Sequence, residues 1–196
     1  MFLINHKKAS LLDHLKIATK VNHSSVEKVL VHKLKNLSSQ EEYANLLFQL
    51  YGFYFELEKK VHSIIDQTLL PDISKRVHVA NLHTDLLNLN HSVAITTTNK
   101  YPDTIASVSE AVGVLYVIEG STLGGQFIAT MLKKQLPTLT SSQINYFLSY
   151  GENTMEMWKQ FKLSIEEKAI DIDEKSALNA AQNTFKALED WLQLSL

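Results

Sequence analysis

The stretch SSQEEYANLLFQLYGFYFELEKKVHSIIDQTL, residues 38–69, decides the fold class. It opens with a capping-box pattern, in which the side chains of Ser39 and Glu42 can satisfy each other's backbone N–H groups. Apolar side chains then recur every three or four residues, which is the period of one face of an α-helix. They are Leu46, Leu47, Leu50, Phe53, Tyr54, Leu57, Val61, Ile64 and Ile65. The segment therefore predicts a long amphipathic helix with one buried side.

Helical spacing extends over most of the remaining chain, whereas sustained strand-like alternation is absent from the sequence. The predicted helical segments are Ala9 to Lys35, Ile73 to Leu89, Thr104 to Leu136, 155–169 and 175–194, with a second capping-box pattern from Thr140 to Gln143. Prolines stand only where the pattern changes, as expected outside helices. The sequence therefore predicts an all-α protein with one domain, residues 1–196, and about seven or eight helices.

Composition limits the possible function classes. The chain has 196 residues, of which 45% are hydrophobic, which is enough for one core. Its net charge of −2 gives no overall field for binding nucleic acid. It has no cysteine, which excludes disulfides and thiolate chemistry and fits a reducing compartment. The longest uncharged apolar run, residues 112–118, is short of the roughly 20 residues of a membrane span. We expect a cytoplasmic protein that binds neither nucleic acid nor membrane.

A polar stripe runs along the first predicted helix. Lys16, Lys20, His23 and Glu27 stand at i, i+4, i+7 and i+11, so they share one narrow face. His23 could donate one ring N–H to Glu27, which would leave the other nitrogen free to bind a metal. The two lysines suit an anionic ligand. The alternative is a solvated helix face with weak ion pairs of about 0.2–0.5 kcal/mol.

The segment EGSTLGGQ, residues 119–126, contains three of the six glycines in the chain. A glycine inside a helix costs roughly 0.5–1 kcal/mol relative to alanine. The spacing fits neither a P-loop nor a dinucleotide fingerprint. Gly120 and Gly124 lie about one turn apart, with apolar residues on both flanks, which favours a helix that bends and continues. Such a bare strip can press against another helix or against a planar ligand.

Together, KIATKVNHSSVEKVL (16–30) and GVLYVIEGSTLGGQFI (113–128) resemble the heme oxygenase family, in particular its bacterial, biliverdin-producing branch. The resemblance continues more weakly through residues 147–161 and 183–192. It implies a helical bundle that holds heme between the first helix and a kinked, glycine-rich distal helix. Heme would be both cofactor and substrate. The implied reaction uses dioxygen and yields biliverdin, carbon monoxide and ferrous iron.

The resemblance also implies roles for individual residues. His23 corresponds to the ligand of the heme iron and Glu27 to its hydrogen-bonding partner. Gly120 and Gly124 correspond to the distal glycines that leave room for dioxygen. The other residues implied to contact heme are Lys16, Lys20, Lys159 and Lys162, near the propionates, and Tyr116 and Phe185, in the pocket wall.

One position departs from part of the family. Some members have an aspartate directly after the first distal glycine, where it organises water that delivers protons, and this chain has Ser121 there. A serine hydroxyl can hold water but does not carry the charge of a carboxylate. The resemblance further implies an external electron donor, a ferredoxin or a flavoprotein reductase. Two alternatives remain open: a heme carrier without turnover, and a helical scaffold without cofactor.

Overall fold

A computed structural model of the protein describes residues 9–94 and 99–194, and within these ranges all regular structure is helical. The eight α-helices are α1 (Leu11–Lys35), α2 (Gln40–Ile64), α3 (Val79–Asn88), α4 (Val108–Ser121), α5 (Gly125–Gln135), α6 (Asn145–Leu148), α7 (Thr154–Glu167) and α8 (Glu174–Gln193). Short 3-10 turns connect several of them. The all-α prediction is confirmed.

A capping box determines where the first helix begins. Ser10 accepts a hydrogen bond from the backbone N–H of Asp13, and the Asp13 carboxylate accepts one from the N–H of Ser10. This capping box satisfies donors that a helix start leaves unpaired, so α1 begins at Leu11 and not at the predicted Ala9.

The two predicted capping boxes have different outcomes. Ser39 caps α2 by accepting from the N–H of Glu42 at 3.1 Å, but the Glu42 carboxylate bonds instead to the N–H of Ser38 at 2.7 Å. The first box is therefore only half formed. Thr140 and Gln143 make both bonds of the second box, although the element that they open is a single 3-10 turn.

The predicted third helix from Ile73 to Leu89 is wrong in its first part. A 3-10 turn covers Ile73–Lys75, and the regular helix, α3, begins only at Val79. The chain turns inward at Arg76, which is 1% exposed, and the Glu58 carboxylate of α2 accepts the backbone N–H groups of His78 and Val79. These contacts come from other helices, so the local period does not reveal the break.

The predicted long segment from Thr104 to Leu136 is divided into two helices. α4 ends at Ser121, a 3-10 turn covers Thr122–Gly124, and α5 begins at Gly125. The tighter turn bends the chain where the glycines lie. The stretch Val108–Gln135 is long and apolar enough to cross a membrane by composition, but more than half of its most apolar window is buried inside the protein. It is a core element of this fold.

The last helix, α8, packs against both α1 and α4. Gly113 allows α4 to approach α8 closely. A Cβ at this position would lie 2.2 Å from the carbonyl oxygen of Ala177, so a larger residue would clash with the α8 backbone. Small residues on α8, including Ala180 and Ala181, are buried along the same face. This packing fixes α1 relative to the bend between α4 and α5.

Candidate functional site

A cavity of about 1240 Å³ lies between α1 and the bend from α4 to α5. Its volume is above the roughly 300–1,000 Å³ of common ligand pockets, so it has room for a large ligand. Apolar and aromatic side chains of the other helices close it, among them Leu50, Tyr54, Phe147, Trp158 and Leu188. The cavity is lined by all predicted site residues except Lys159, namely Lys16, Lys20, His23, Glu27, Tyr116, Gly120, Ser121, Gly124, Lys162 and Phe185.

His23 stands on the α1 side of the cavity. Its Nδ1 lies 3.8 Å from Oε2 of Glu27, which is within ion-pair range but longer than a hydrogen bond. The imidazole meets the ring of Phe185 edge-on, with the centroids 5.6 Å apart and the planes at 83°. Its side chain is 58% exposed, so its ring is accessible to a ligand. The predicted hydrogen bond to Glu27 is thus absent in this arrangement, although the two residues are adjacent.

The four glycines between α4 and the start of α5 fall into two kinds. A Cβ at Gly124 would meet nothing within 4 Å, and one at Gly120 would meet only Cη2 of Trp158, at 3.9 Å. By contrast, a Cβ at Gly125 would lie 2.0 Å from the carbonyl oxygen of Phe147, and Gly113 is equally crowded. Gly120 and Gly124 therefore leave cavity space open, whereas Gly113 and Gly125 allow close packing of the backbone.

The lysines of the site occupy its solvent-exposed edge. Lys16 and Lys20 are exposed and one turn apart on α1. Lys162 of α7 lies 6.0 Å from the ring centroid of Trp158, in cation–π range. Lys159, one turn earlier, does not line the cavity and pairs with Glu156 at 3.6 Å on the surface. The structure thus brings three of the four predicted lysines to one cavity.

The two hydroxyls that follow Gly120 both bond to the backbone of α4. Ser121 Oγ donates to the carbonyl of Ile118 at 2.7 Å, and Thr122 Oγ1 donates to the carbonyl of Glu119, also at 2.7 Å. Both residues line the cavity. Since a hydroxyl has one proton, each keeps only its acceptor capacity for a ligand.

Sequence reasoning missed a buried polar cluster directly behind the glycines. Arg76 forms a bidentate pair with Asp72, with both bonds at 2.8 Å, and a close ion pair with Glu119. Glu119 Oε1 is 2.9 Å from Nε2 of His78 and 3.0 Å from the hydroxyl of Tyr150. We call these five residues the Glu119 cluster. A signal was available, because Arg76 is the only arginine of the chain and Glu119 ends an uncharged apolar run.

Burial and charge shift two pKa values in the Glu119 cluster. Burial raises the pKa of the Tyr150 phenol well above its usual value, and the nearby Glu119 carboxylate raises it further. Burial opposes the positive charge of Arg76, but the bonds from Asp72 and the charge of Glu119 outweigh it and raise the Arg76 pKa. Tyr150 therefore remains a neutral hydroxyl and Arg76 a fixed cation.

Comparison with known proteins identifies the family of the chain. The family model for heme oxygenase matches residues 9–194, so the chain belongs to the heme oxygenase family. A heme oxygenase of Xanthomonas campestris is 39% identical over 67 residues, a match that spans 34% of this chain and 39% of that relative. The resemblance predicted from the two sequence segments is confirmed at the level of the family.

Solved structures of bacterial heme oxygenases share the fold. The NO- and CO-bound heme oxygenase of Neisseria meningitidis superimposes with a TM-score of 0.75 at 19% identity, covering 96% of this chain and 94% of the other. The enzyme of Leptospira interrogans gives 0.74 at 16% identity, covering 94% and 98%. The heme complex of a heme oxygenase from Synechocystis gives 0.71 at 17% identity, covering 94% and 91%.

Proposed function

We propose that this protein cleaves heme with dioxygen and an external reductant, yielding biliverdin, carbon monoxide and ferrous iron. The observation that carries the proposal is a cavity with an accessible imidazole, His23, on one side and the side-chain-free positions Gly120 and Gly124 on the other. One neutral histidine is the ligand set of oxygen-binding hemes. Family membership supports the same function.

The residues present fit heme. A side chain at Gly120 or Gly124 would project into open cavity space. Because glycine has none, the cavity has a bare strip against which a flat macrocycle can lie. Apolar and aromatic walls suit the porphyrin, and cations at one edge suit its two carboxylates. When bound, heme supplies the iron and the macrocycle on which the oxidation takes place.

Each side chain then has a role in binding or orienting. His23 binds the iron, and Phe185 limits the rotation of its imidazole through the edge-on contact. Glu27 keeps a carboxylate within ion-pair range of the same ring. Tyr116 forms part of the wall, and its phenol pKa is raised by burial, so the hydroxyl stays neutral. Ser121 offers a hydroxyl oxygen as an acceptor to a ligand or a water molecule.

The lysines set the direction in which heme enters. Lys16, Lys20 and Lys162 bind the propionates at the exposed edge and thereby fix which edge of the macrocycle points inward. Lys159, which is paired with Glu156 outside the cavity, contributes to the charge of the surrounding surface. Electrons come from a ferredoxin or a flavoprotein reductase that docks at this basic edge, and we place the reaction in the cytoplasm.

Heme titration of the purified protein tests the proposal. Binding to wild type should shift and sharpen the Soret band of free hemin, and His23→Ala should lose this change or weaken binding by about tenfold or more. His32→Ala is the matched control, because His32 lies on the same helix but outside the cavity. A reductant added in air should then replace the heme spectrum with that of a bilin.

Three results would contradict the proposal in different ways. A heme spectrum that persists under reductant and air would indicate a carrier. A Soret band that stays that of free hemin when wild type is added would indicate a scaffold. Equal binding by His23→Ala and His32→Ala would remove His23 as the ligand.

A further inference from the structure

Trp158 lies where the bare strip of the cavity approaches its charged edge. The side chain is half-buried and lines the cavity. A Cβ on Gly120 would lie 3.9 Å from Cη2 of Trp158, so the indole ring borders the open space beside this glycine. The indole also contacts the ring of Tyr116, with the centroids 5.8 Å apart and the planes at 54°. Trp158 is therefore a side wall of the space that a flat ligand would occupy.

Buried groups hold the indole ring in place from the side of the core. Trp158 stacks on Phe161, with the centroids 5.4 Å apart and the planes at 23°. Phe161 is fully buried, and the guanidinium carbon of Arg76 lies 5.8 Å from its ring centroid. Arg76 is fixed in turn by its ion pairs with Asp72 and Glu119. Because each member of this series packs against the next, the core determines the orientation of the indole ring.

Lys162 contacts the same indole ring at the exposed edge of the cavity. Its Nζ is 6.0 Å from the ring centroid of Trp158, and the two residues are four positions apart on α7, so their side chains are neighbours on the helix surface. An aromatic face attracts a cation at this distance. Within residues 9–94 and 99–194, Lys162 has no carboxylate partner, so its ammonium group is available to an anionic ligand.

The neighbouring lysine shows what the indole ring adds. Lys159 follows Trp158 directly in the chain, but it pairs with Glu156 on the surface and does not line the cavity. Lys162, which contacts the ring, does line the cavity. A free lysine side chain samples many rotamers, and a ligand that fixes them loses affinity to entropy. The contact with Trp158 restricts the rotamers of Lys162 before a ligand arrives, so less entropy is lost on binding.

We propose that Trp158 is a positioning residue, which holds Lys162 at the cavity edge for a carboxylate of the bound tetrapyrrole. This inference rests on the proposed function and adds to it the residue that orients one of the edge cations. Phe161 and Arg76 fix the indole ring, the ring restrains Lys162, and Lys162 contacts the carboxylate. Trp158 therefore increases the preference of the cavity for a tetrapyrrole with charged carboxylates over the same ring system without them.

Titration with hemin and with hemin dimethyl ester, whose carboxylates are uncharged, measures this role. The ratio of the ester's dissociation constant to that of hemin gives the preference for the charged ligand, and contacts with the ring system cancel in it. Trp158→Leu should reduce this ratio by about two- to fivefold, the strength of an exposed cation–π contact. Lys162→Met should reduce it at least as much. Trp158→Phe keeps an aromatic face beside Lys162 and should reduce the ratio less than Trp158→Leu does.

A double variant tests whether Trp158 acts through Lys162. In a Lys162→Met background, Trp158→Leu should reduce the ratio no further, because the cation that the ring restrains is already absent. Lys186→Met is the matched control, because it removes one lysine that pairs with Asp190 at 3.5 Å outside the cavity. It should leave the ratio at the wild-type value.

A second measurement uses the heme-free protein. The ring current of the indole should shift the NMR signals of the Lys162 ε-CH₂ group upfield relative to those of Lys186, and Trp158→Leu should abolish this shift. Unshifted signals in wild type would overturn the contact. An equal loss of affinity for hemin and its ester in Trp158→Leu, or a further reduction of the ratio in the double variant, would overturn the positioning role.

None of these results affects the proposed binding of heme by His23. Failure of wild type to bind both hemin and the ester would instead overturn the proposed function, and this inference with it.

Discussion

Alanine at Gly120 should stabilise the heme-free protein and weaken heme binding. Gly120 lies inside α4, where alanine is favoured by roughly 0.5–1 kcal/mol. The new Cβ would meet only Trp158 Cη2, at 3.9 Å, an ordinary contact with no steric cost. For a chain of this size, 1 kcal/mol corresponds to about 2–4 °C, so we expect a melting temperature higher by about 1–4 °C. The same methyl group occupies the bare strip.

Gly120→Ala should have the opposite effect on the heme-bound state, which it should destabilise. Adding a methyl to a filled site costs about 1–3 kcal/mol, which corresponds to a loss of affinity of about fivefold to 150-fold. Gly125→Ala supplies the contrast, because its Cβ would lie 2.0 Å from the carbonyl oxygen of Phe147. That backbone clash should lower the melting temperature of the heme-free protein.

Two assays are sufficient: thermal melts of the heme-free proteins by circular dichroism, and hemin titration of each variant. The reasoning would be refuted if Gly120→Ala lowered the melting temperature as Gly125→Ala does. It would also be refuted if Gly120→Ala bound hemin with wild-type affinity, because the open space beside Gly120 would then not be the space that heme occupies.

Three further predictions concern stability. Arg76→Ala leaves Glu119 buried without its cation and should cost about 3–5 kcal/mol in urea unfolding, whereas Lys159→Ala removes a surface pair and should cost at most about 1 kcal/mol. Equal losses of stability in Arg76→Ala and Lys159→Ala would contradict the description of the first pair as buried and the second as a surface pair. Ser107→Ala removes the cap of α4 and should cost about 1 kcal/mol at pH 7. Hydrogen bonds from backbone N–H groups, and one from the Ser107 hydroxyl, lower the pKa of Glu110 in the folded protein. The ionised Glu110 carboxylate therefore stabilises the fold above about pH 4.5, and this stabilisation is lost as pH falls through the lower folded pKa. Glu110→Gln should therefore be less stable than wild type at pH 6, and this deficit should shrink as pH is lowered below about 4.5; a constant difference would be the contrary result.

Features that depend on neighbours along the chain were predictable. Ser39 caps α2 because its side chain reaches an N–H only three residues ahead. Lys16, Lys20 and His23 share a face because the helical period places them there, and all three line the cavity. The pairing of this stripe with the glycine segment came from family resemblance, since no local rule relates residues a hundred positions apart.

Tertiary structure alone separated the glycines by role. Gly120, Gly124 and Gly125 look alike in sequence, but only the first two face open space, because what lies opposite each one is set by α6 and α7. The turn at Arg76 could not be predicted from the local sequence either. Its partner Glu119 is 43 residues away, and the pair forms only when α4 is packed in the core.

The amino-acid sequence by itself determined the all-helical class, the cap of α2 by Ser39 and the polar stripe of α1, because these follow from propensity, periodicity and hydrogen bonds within a few residues. The tertiary structure decided the cavity, the open faces of Gly120 and Gly124, and the contact of Glu119 with His78 and Tyr150. These features depend on distances between helices, and packing in the core fixes those distances.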